Sequence, residues 1–112
     1  METVMVGHLE WQKVVSSNRY SLKEAEEYSK TLGDGWRLPT RPELMEIINR
    51  KFQNPSIDPS IFPDTPVALF WTSTVWEGNI SHRWDGNFSD GTMWGHHVDS
   101  KNRVRLVRSK RT

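Results

Sequence analysis

The chain contains no cysteine. Disulfide bonds, thiolate catalysis and cysteine-based zinc sites are therefore excluded, and redox chemistry says nothing about the compartment. No run of about 18 apolar residues is present, as a membrane-spanning helix would need. The first ten residues also lack the basic and then apolar segments of a secretory signal. The sequence as given predicts a protein that neither spans a membrane nor carries an export signal, in a cytoplasmic or phage-associated location.

Motifs of the common hydrolases and nucleotide-binding enzymes are absent. The seven glycines stand singly at predicted turns, so no glycine-rich loop is available to hold a phosphate. Neither Ser73 nor Ser81 lies in a Gly-x-Ser-x-Gly elbow, and the adjacency of Ser81 and His82 does not give the geometry of a catalytic triad. We therefore expect no enzyme activity and no cofactor.

Histidine and acidic residues give only weak signals for a metal ion. His96 and His97 are neighbours on a predicted strand, so their side chains point to opposite faces and cannot chelate one ion together. Asp85, Asn87 and Ser89 copy the first three ligand positions of an EF-hand loop, but the glycine of that loop and its bidentate glutamate are missing. The sequence predicts no metal site.

What the chain does contain is enough aromatic surface for one core. Its 112 residues, 35% of them hydrophobic, include six Trp, four Phe and two Tyr. Each buried ring removes a large apolar area from water, so few positions suffice to fill a small core. We expect one domain over residues 1–112, which buries roughly two-thirds of the surface that the unfolded chain exposes.

Charge is distributed unevenly along the chain. The net charge is +1, yet the last twelve residues contain six basic and no acidic residues, and the first hundred contain nine basic and fourteen acidic ones. Either the terminal basic residues line the solvent face of a strand and pair with acids on its neighbours, or they form a patch for phosphate, sulfate or an acidic protein surface. The six are Lys101, Arg103, Arg105, Arg108, Lys110 and Arg111.

Two capping boxes predict where two helices begin. The first is Ser21–Glu24, and the apolar spacing that follows, with Gly33 as a C-cap, predicts a helix over Ser21–Leu32. The second is Thr40–Glu43, which predicts a helix from Thr40 to about Lys51 with an apolar stripe toward the core.

Residues 54–66 hold four of the six prolines and show no periodicity, which predicts a long Pro-rich connecting loop. Its Ile57, Ile61 and Phe62 are expected to pack on the core. Two helices and a run of antiparallel strands predict an α+β domain, with the helices against one side of a small twisted sheet. The predicted strands are Val4–Val6, Leu9–Val15, Leu69–Val75, His82–Phe88, Thr92–Val98 and Arg103–Arg108.

The hairpin before the C-terminal strand has a predicted register. If Asp90 and Gly91 form a two-residue type I′ turn, Asn87 lies opposite Trp94 and Asp85 lies opposite His96. Period-two alternation then sorts the side chains by face. Trp84, Phe88 and Met93 form the predicted core face, and Asp85, Asn87, Trp94 and His96 form the other.

A series of segments in a fixed order resembles a known family, the Lcl-type C-terminal domain family, named for the C-terminal domain of bacterial collagen-like adhesins. The resemblance covers nearly everything from Leu9 to Arg108. It rests on Trp11-Gln12, the Ser21 helix, Gly35–Leu44, Pro55–Pro59, Phe62–Pro66, Phe70–Thr74, Asn87–Gly91 and Val104–Arg108.

The resemblance implies a C-type-lectin-like fold in which the two termini pair as adjacent strands and a long loop region presents the ligand surface. It implies a binding module rather than an enzyme. Adhesin members are associated with sulfated polysaccharides and trimeric assembly, while others occur in phage or variable-protein settings. This chain departs from the family at Leu106, where relatives often carry a cysteine.

The sequence predicts a binding site on the outer face of the hairpin. Trp36 and Trp71 lie inside fold motifs and are predicted to be core, whereas Trp94 either stacks on a ligand or packs under the Pro-rich loop. Polar neighbours and basic residues would supply hydrogen bonds and positive charge. The predicted site residues are Trp76, Asp85, Asn87, Trp94, His96, Arg103 and Arg105.

Two functions are compatible with such a site. The first is recognition of a protein partner, for instance by a phage-encoded or intracellular inhibitor or adaptor. The alternative is binding of a sulfated or acidic polysaccharide, which the basic C-terminal residues favour. The acidic body of the chain argues against nucleic acid as the ligand.

Overall fold

The computed structural model describes residues 1–109 and has a mixed α+β fold. The predicted α+β class is confirmed, although the strands form two three-stranded antiparallel sheets, β1-β2-β6 and β3-β4-β5, rather than one. Neither helix within residues 1–109 is long and apolar enough to cross a membrane. The elements are β1 Thr3–Val6, β2 Leu9–Gln12, α1 Leu22–Leu32, α2 Arg41–Ile47, β3 Leu69–Trp76, β4 Asn79–Asn87, β5 Thr92–His97 and β6 Val107–Ser109.

Both helices begin at the predicted N-caps. Ser21 accepts a hydrogen bond from the Glu24 N–H at 3.2 Å, and the Glu24 carboxylate accepts one from the Ser21 N–H at 2.9 Å. Thr40 and Glu43 make the same reciprocal pair at the start of α2. These boxes satisfy first-turn amides that have no partner inside the helix, which is why they mark helix starts in a sequence.

Helix α2 is shorter than predicted and ends at Ile47, not near Lys51. The next residue, Ile48, is extended, and the Asn49 N–H donates to the Ser56 carbonyl at 2.8 Å. The Ser56 N–H in turn donates to the Phe88 carbonyl at 2.8 Å. Long-range hydrogen bonds therefore replace the last helical turn that local spacing predicted.

The segment between α2 and β3, residues 48–68, contains no helix or strand. Ile57 and Phe62 are buried, at 1% and 2% exposure, and Ile61 packs against the same core cluster, as predicted. Strand β6 is shorter than the predicted Arg103–Arg108, because Arg103 pairs with β3 rather than with β2. The Trp71 N–H donates to the Arg103 carbonyl at 3.1 Å.

The two helices lie on opposite faces of the sheet β3-β4-β5, so the prediction that they share one side is wrong. Leu44 of α2 clusters with Phe70, and Leu22 of α1 clusters with Trp71. Phe70 and Trp71 are consecutive in β3 and point to opposite faces. Residues 1–109 thus contain two apolar clusters rather than one continuous core, with Trp36 and Trp71 both buried as predicted.

The hairpin register differs from the prediction by two residues. Asn87 pairs with Thr92, Asp85 with Trp94, and the four residues 88–91 form the loop. This loop closes through the Gly91 N–H, which donates to the Asn87 carbonyl at 2.7 Å, and Gly91 has a φ of +79° that favours glycine. A shift of two residues preserves the alternation, so the predicted sorting of β4 and β5 side chains by face survives the wrong register.

Candidate functional site

The site is built on one face of β4 and β5, here called the outer face. The observed pairing puts Asp85 beside Trp94 and Asn87 beside Thr92 on this face, with Arg83 beside His96 next along the ladder. Antiparallel neighbours on one face have Cβ atoms about 5 Å apart, so these side chains form one contiguous surface. The structure therefore brings together four of the seven predicted site residues, namely Asp85, Asn87, Trp94 and His96.

Trp94 is the most exposed aromatic side chain of the outer face, at 65% exposure. It does not pack under residues 48–68, which was the alternative left open by the sequence. Among the large hydrophobic residues exposed within residues 1–109, it is the one aromatic. Trp11, Trp36 and Trp71, by contrast, are at most 8% exposed. A rigid strand therefore presents an indole ring to solvent.

Asp85 lies beneath this surface and is fully buried. The prediction that it contacts a ligand directly is therefore wrong. Its Oδ2 lies 2.5 Å from Nδ1 of His96 and accepts a hydrogen bond from the Asn102 amide at 3.1 Å. Its Oδ1 has no hydrogen-bond partner within residues 1–109. Burial raises the pKa of Asp85 to about 6, and the contacts with His96 and Asn102 limit that rise.

Asp85 and Asn102 consequently position His96, whose side chain is 37% exposed at the edge of the outer face. The imidazole, not the carboxylate, is the polar group offered to a ligand. Asn102 is a site residue that the sequence did not predict. It is 17 residues from Asp85 in the chain, and no local pattern marks the contact.

Asn87 has a structural task in the loop. Its Oδ1 accepts a hydrogen bond from the Ser89 N–H at 2.9 Å, and its side chain is half-buried. Asx side chains commonly stabilise a turn through the amide two residues on. Asn87 therefore helps to hold the loop next to Trp94, with part of its surface still accessible.

Trp76 lies on the opposite face of the sheet, against the prediction. It covers Gly95, where an added Cβ would come within 2.2 Å of the indole ring, and its centroid lies 6.4 Å from that of Trp84. Since Gly95 pairs with Trp84, both belong to the face away from Trp94. Trp76 and Trp94 cannot form a common platform.

Arg105 is an interior residue at 1% exposure. The prediction that it supplies positive charge to a surface ligand is therefore wrong. Its guanidinium donates to the carbonyls of Gln12 at 2.5 Å and Lys13 at 2.9 Å, and to the Thr65 hydroxyl at 2.8 Å. It also lies 4.5 Å above the ring of Phe62. Burial lowers the pKa of Arg105 to about 9.

The other basic residues near the C-terminus divide between ion pairs and a surface cleft. Arg108 pairs with Glu10 at 2.9 Å, and Lys101 pairs with Glu24, as the pairing interpretation predicted. Arg103 is half-buried and shares a cleft of about 220 Å³ with Arg19 and Lys101. Lys110 and Arg111 lie outside the described residues.

Side chains that could hold a metal ion do not converge in the part of the chain that the structure describes. No group of three or more histidine and acidic residues is suitably placed within residues 1–109. His96 contacts Asp85 on the outer face, whereas the ring of His97 lies 5.4 Å from that of His82 on the other face. What the outer face offers is an exposed indole, an imidazole and nearby positive charge.

Comparison with known proteins bears on the whole domain rather than on single residues. Among curated proteins, no match was found. The family described as the Lcl C-terminal domain matches residues 5–108, from β1 to β6. Because this match covers nearly the whole chain, the protein belongs to the Lcl C-terminal domain family.

Proposed function

We propose that this domain is a non-catalytic recognition module that binds a protein partner through the outer face, with Trp94 at the centre of the contact. The observation that carries the proposal is the 65% exposure of Trp94 on a paired strand. Tryptophan is enriched among the residues that dominate binding energy at protein interfaces. It buries a large apolar area on contact while its indole N–H can still find an acceptor.

The surroundings of Trp94 support recognition by a preformed surface. Its neighbour Asp85 is fixed by His96 and Asn102, and the adjacent loop is closed by hydrogen bonds from Gly91 and Ser89 to Asn87. A side chain held by neighbours that are already fixed in this way loses little conformational freedom on binding. Rigid presentation of one aromatic anchor is an arrangement typical of a binding module.

We further propose that the fold is C-type-lectin-like. The pairing of β2 with β6, which brings the two ends of the chain together, and the two capped helices before a second three-stranded sheet support this assignment. A phage-encoded or intracellular inhibitor or adaptor is the role we favour. Trimeric assembly, which the family resemblance implied, is part of the same proposal.

A sulfated or acidic polysaccharide is the second candidate ligand. The cleft formed by Arg19, Lys101 and Arg103 favours it, because three cations line a hollow of about 220 Å³. Lys101 is already paired with Glu24, and Arg103 donates to the Ser16 carbonyl at 3.4 Å, so only part of this charge is available. For that reason we rank the protein partner first.

Replacing Trp94 with alanine should abolish partner capture without unfolding the domain. Loss of a central aromatic anchor commonly costs about 2 kcal/mol or more, which is roughly thirtyfold in affinity. The test is a pull-down with tagged protein from a lysate of the organism that encodes the chain, quantified by mass spectrometry. Met45→Ala is the matched control, because Met45 is a 49% exposed hydrophobic residue on α2.

Salt dependence separates the two ligands. Capture of a protein through Trp94 should persist at about 0.5 M NaCl. Salt shortens the Debye length, to about 3 Å at about 1 M, and so weakens interactions between exposed charges, but it does not weaken apolar contacts. Retention on heparin would favour the polysaccharide instead, provided that it is lost in both Arg19→Gln and Arg103→Gln and is unchanged in Trp94→Ala. Equal capture by wild type and Trp94→Ala would contradict the protein-binding proposal.

A further inference from the structure

A second concave site lies between α1 and β3-β4, and Trp94 is not among the residues that line it. It has a volume of about 400 Å³, within the range of about 300–1,000 Å³ that small-molecule sites occupy. We call it the helix cleft. Leu22 of α1 and Leu38, both buried, give it an apolar base, and Arg83 of β4 closes the side nearest His96.

The charge of the helix cleft is positive. Lys30, Arg37 and Arg83 line it together with one acid, Glu26, which gives a net charge of +2. Arg37 is neutralised by a bidentate ion pair with Glu43, in which the two carboxylate oxygens of Glu43 lie 2.7 and 2.8 Å from the terminal nitrogens of Arg37. With Glu43 included, the cleft retains a net charge of +1.

Lys30 and Arg83 carry the available charge. Within residues 1–109 neither forms an ion pair. Nη1 of Arg83 donates to the carbonyls of Ile80 at 2.7 Å and His82 at 3.1 Å, which fixes the guanidinium while leaving Nη2 to a ligand. Glu26 stands one helical turn before Lys30, a spacing whose ion pairs are worth only about 0.2–0.5 kcal/mol.

We propose that the helix cleft binds a small organic monoanion, a carboxylate carried on an apolar body. The apolar body would rest on Leu22 and Leu38, and the carboxylate would accept hydrogen bonds from Arg83 and Lys30. A single negative charge neutralises the cleft, and a guanidinium suits a planar carboxylate because its donors match the two oxygens. The cleft adjoins the outer face through Arg83, but its lining does not include Trp94.

The test is a titration of ¹⁵N-labelled protein with 3-phenylpropanoate, followed by amide chemical shifts. Saturable shifts are expected at Ser29, Leu38, Thr40 and Ser73, which belong to the cleft lining. The neutral counterpart, 3-phenylpropan-1-ol, should bind at least about tenfold more weakly, because a hydrogen bond to a charged group is worth about 1.5–3 kcal/mol.

Two substitutions make the assignment specific. Lys30→Gln and Arg83→Gln should each weaken binding of 3-phenylpropanoate about tenfold or more, by the loss of one charge-assisted contact. Lys23→Gln, on the exposed surface of the same helix, should leave the affinity unchanged. Thermal unfolding of each variant verifies that the domain is intact, and Lys30→Gln, on a solvent-exposed residue, tests the proposal if Arg83→Gln fails to fold.

Three results would overturn the proposal: no saturable shift at the cleft, equal affinity for the acid and the alcohol, or unchanged affinity in a folded Lys30→Gln variant. None of them depends on whether Trp94→Ala loses its partner.

Discussion

Arg105→Ala is expected to lower the free energy of unfolding by about 3–5 kcal/mol. The substitution leaves the carbonyls of Gln12 and Lys13 and the Thr65 hydroxyl without the donor they share, and a buried polar group without a partner costs about 1–3 kcal/mol. It also opens a cavity above Phe62. A loss of this size is a large part of the roughly 5–15 kcal/mol that stabilises a typical domain.

Urea unfolding at neutral pH measures this loss. Arg105→Lys should recover only part of it, because one ammonium cannot reproduce the fork that reaches three acceptors. Lys101→Ala is the matched control, since Lys101 forms an exposed ion pair with Glu24 and such pairs contribute about 0–1 kcal/mol. A loss in Arg105→Ala no larger than in Lys101→Ala would show that Arg105 does not connect the segments around it.

Asp85→Asn is expected to change how stability depends on pH. Because burial raises the pKa of Asp85 from 3.8 to about 6, the folded state holds this proton more tightly than the unfolded state. The stabilising contribution of the protonated carboxyl is complete below pH about 4 and is lost as pH rises through about 6. The amide cannot ionise, so the free energy of unfolding of Asp85→Asn, relative to wild type, should rise by about 2–3 kcal/mol from pH 4 to pH 7.5.

Urea unfolding of both proteins at several pH values across this window provides the measurement. His96→Asn is the informative companion, because the His96 contact lowers the pKa of Asp85 and its removal should move the transition to higher pH. A difference between Asp85→Asn and wild type that stays constant with pH, or falls, would mean that folding does not raise the pKa of Asp85.

The parts of the fold that the sequence predicted are those set by local physics. Both helix starts follow from reciprocal contacts within four residues, and both were correct. The predicted end of α2 was wrong, because the Asn49 N–H donates to the carbonyl of Ser56, seven residues further on, instead of continuing the helix. Local rules predict where a helix begins here, but a distant partner determines where it ends.

The candidate site was predictable in part for a related reason. Asp85, Asn87, Trp94 and His96 share a face because strand alternation survives an even register shift. The buried environment of Asp85 was not predictable, since its hydrogen-bond partner Asn102 comes from another segment.

Arg105 looked like a member of a basic run. The signal that could have corrected this was its position among Val104, Leu106 and Val107, all of which are buried. The helix cleft has no counterpart in the sequence pattern, because its walls come from α1, β3, β4 and the segment between the helices.

We propose that the outer face around Trp94 is the recognition surface. The most direct measurement is a cross-saturation NMR experiment on the ²H,¹⁵N-labelled domain in complex with its unlabelled captured partner. We expect signal loss at the Trp94 indole N–H and at the amides of Thr92 and His96, with α2 unaffected around Met45. Signal loss centred on α2 or on the opposite face near Trp76, with the Trp94 indole unchanged, would contradict it.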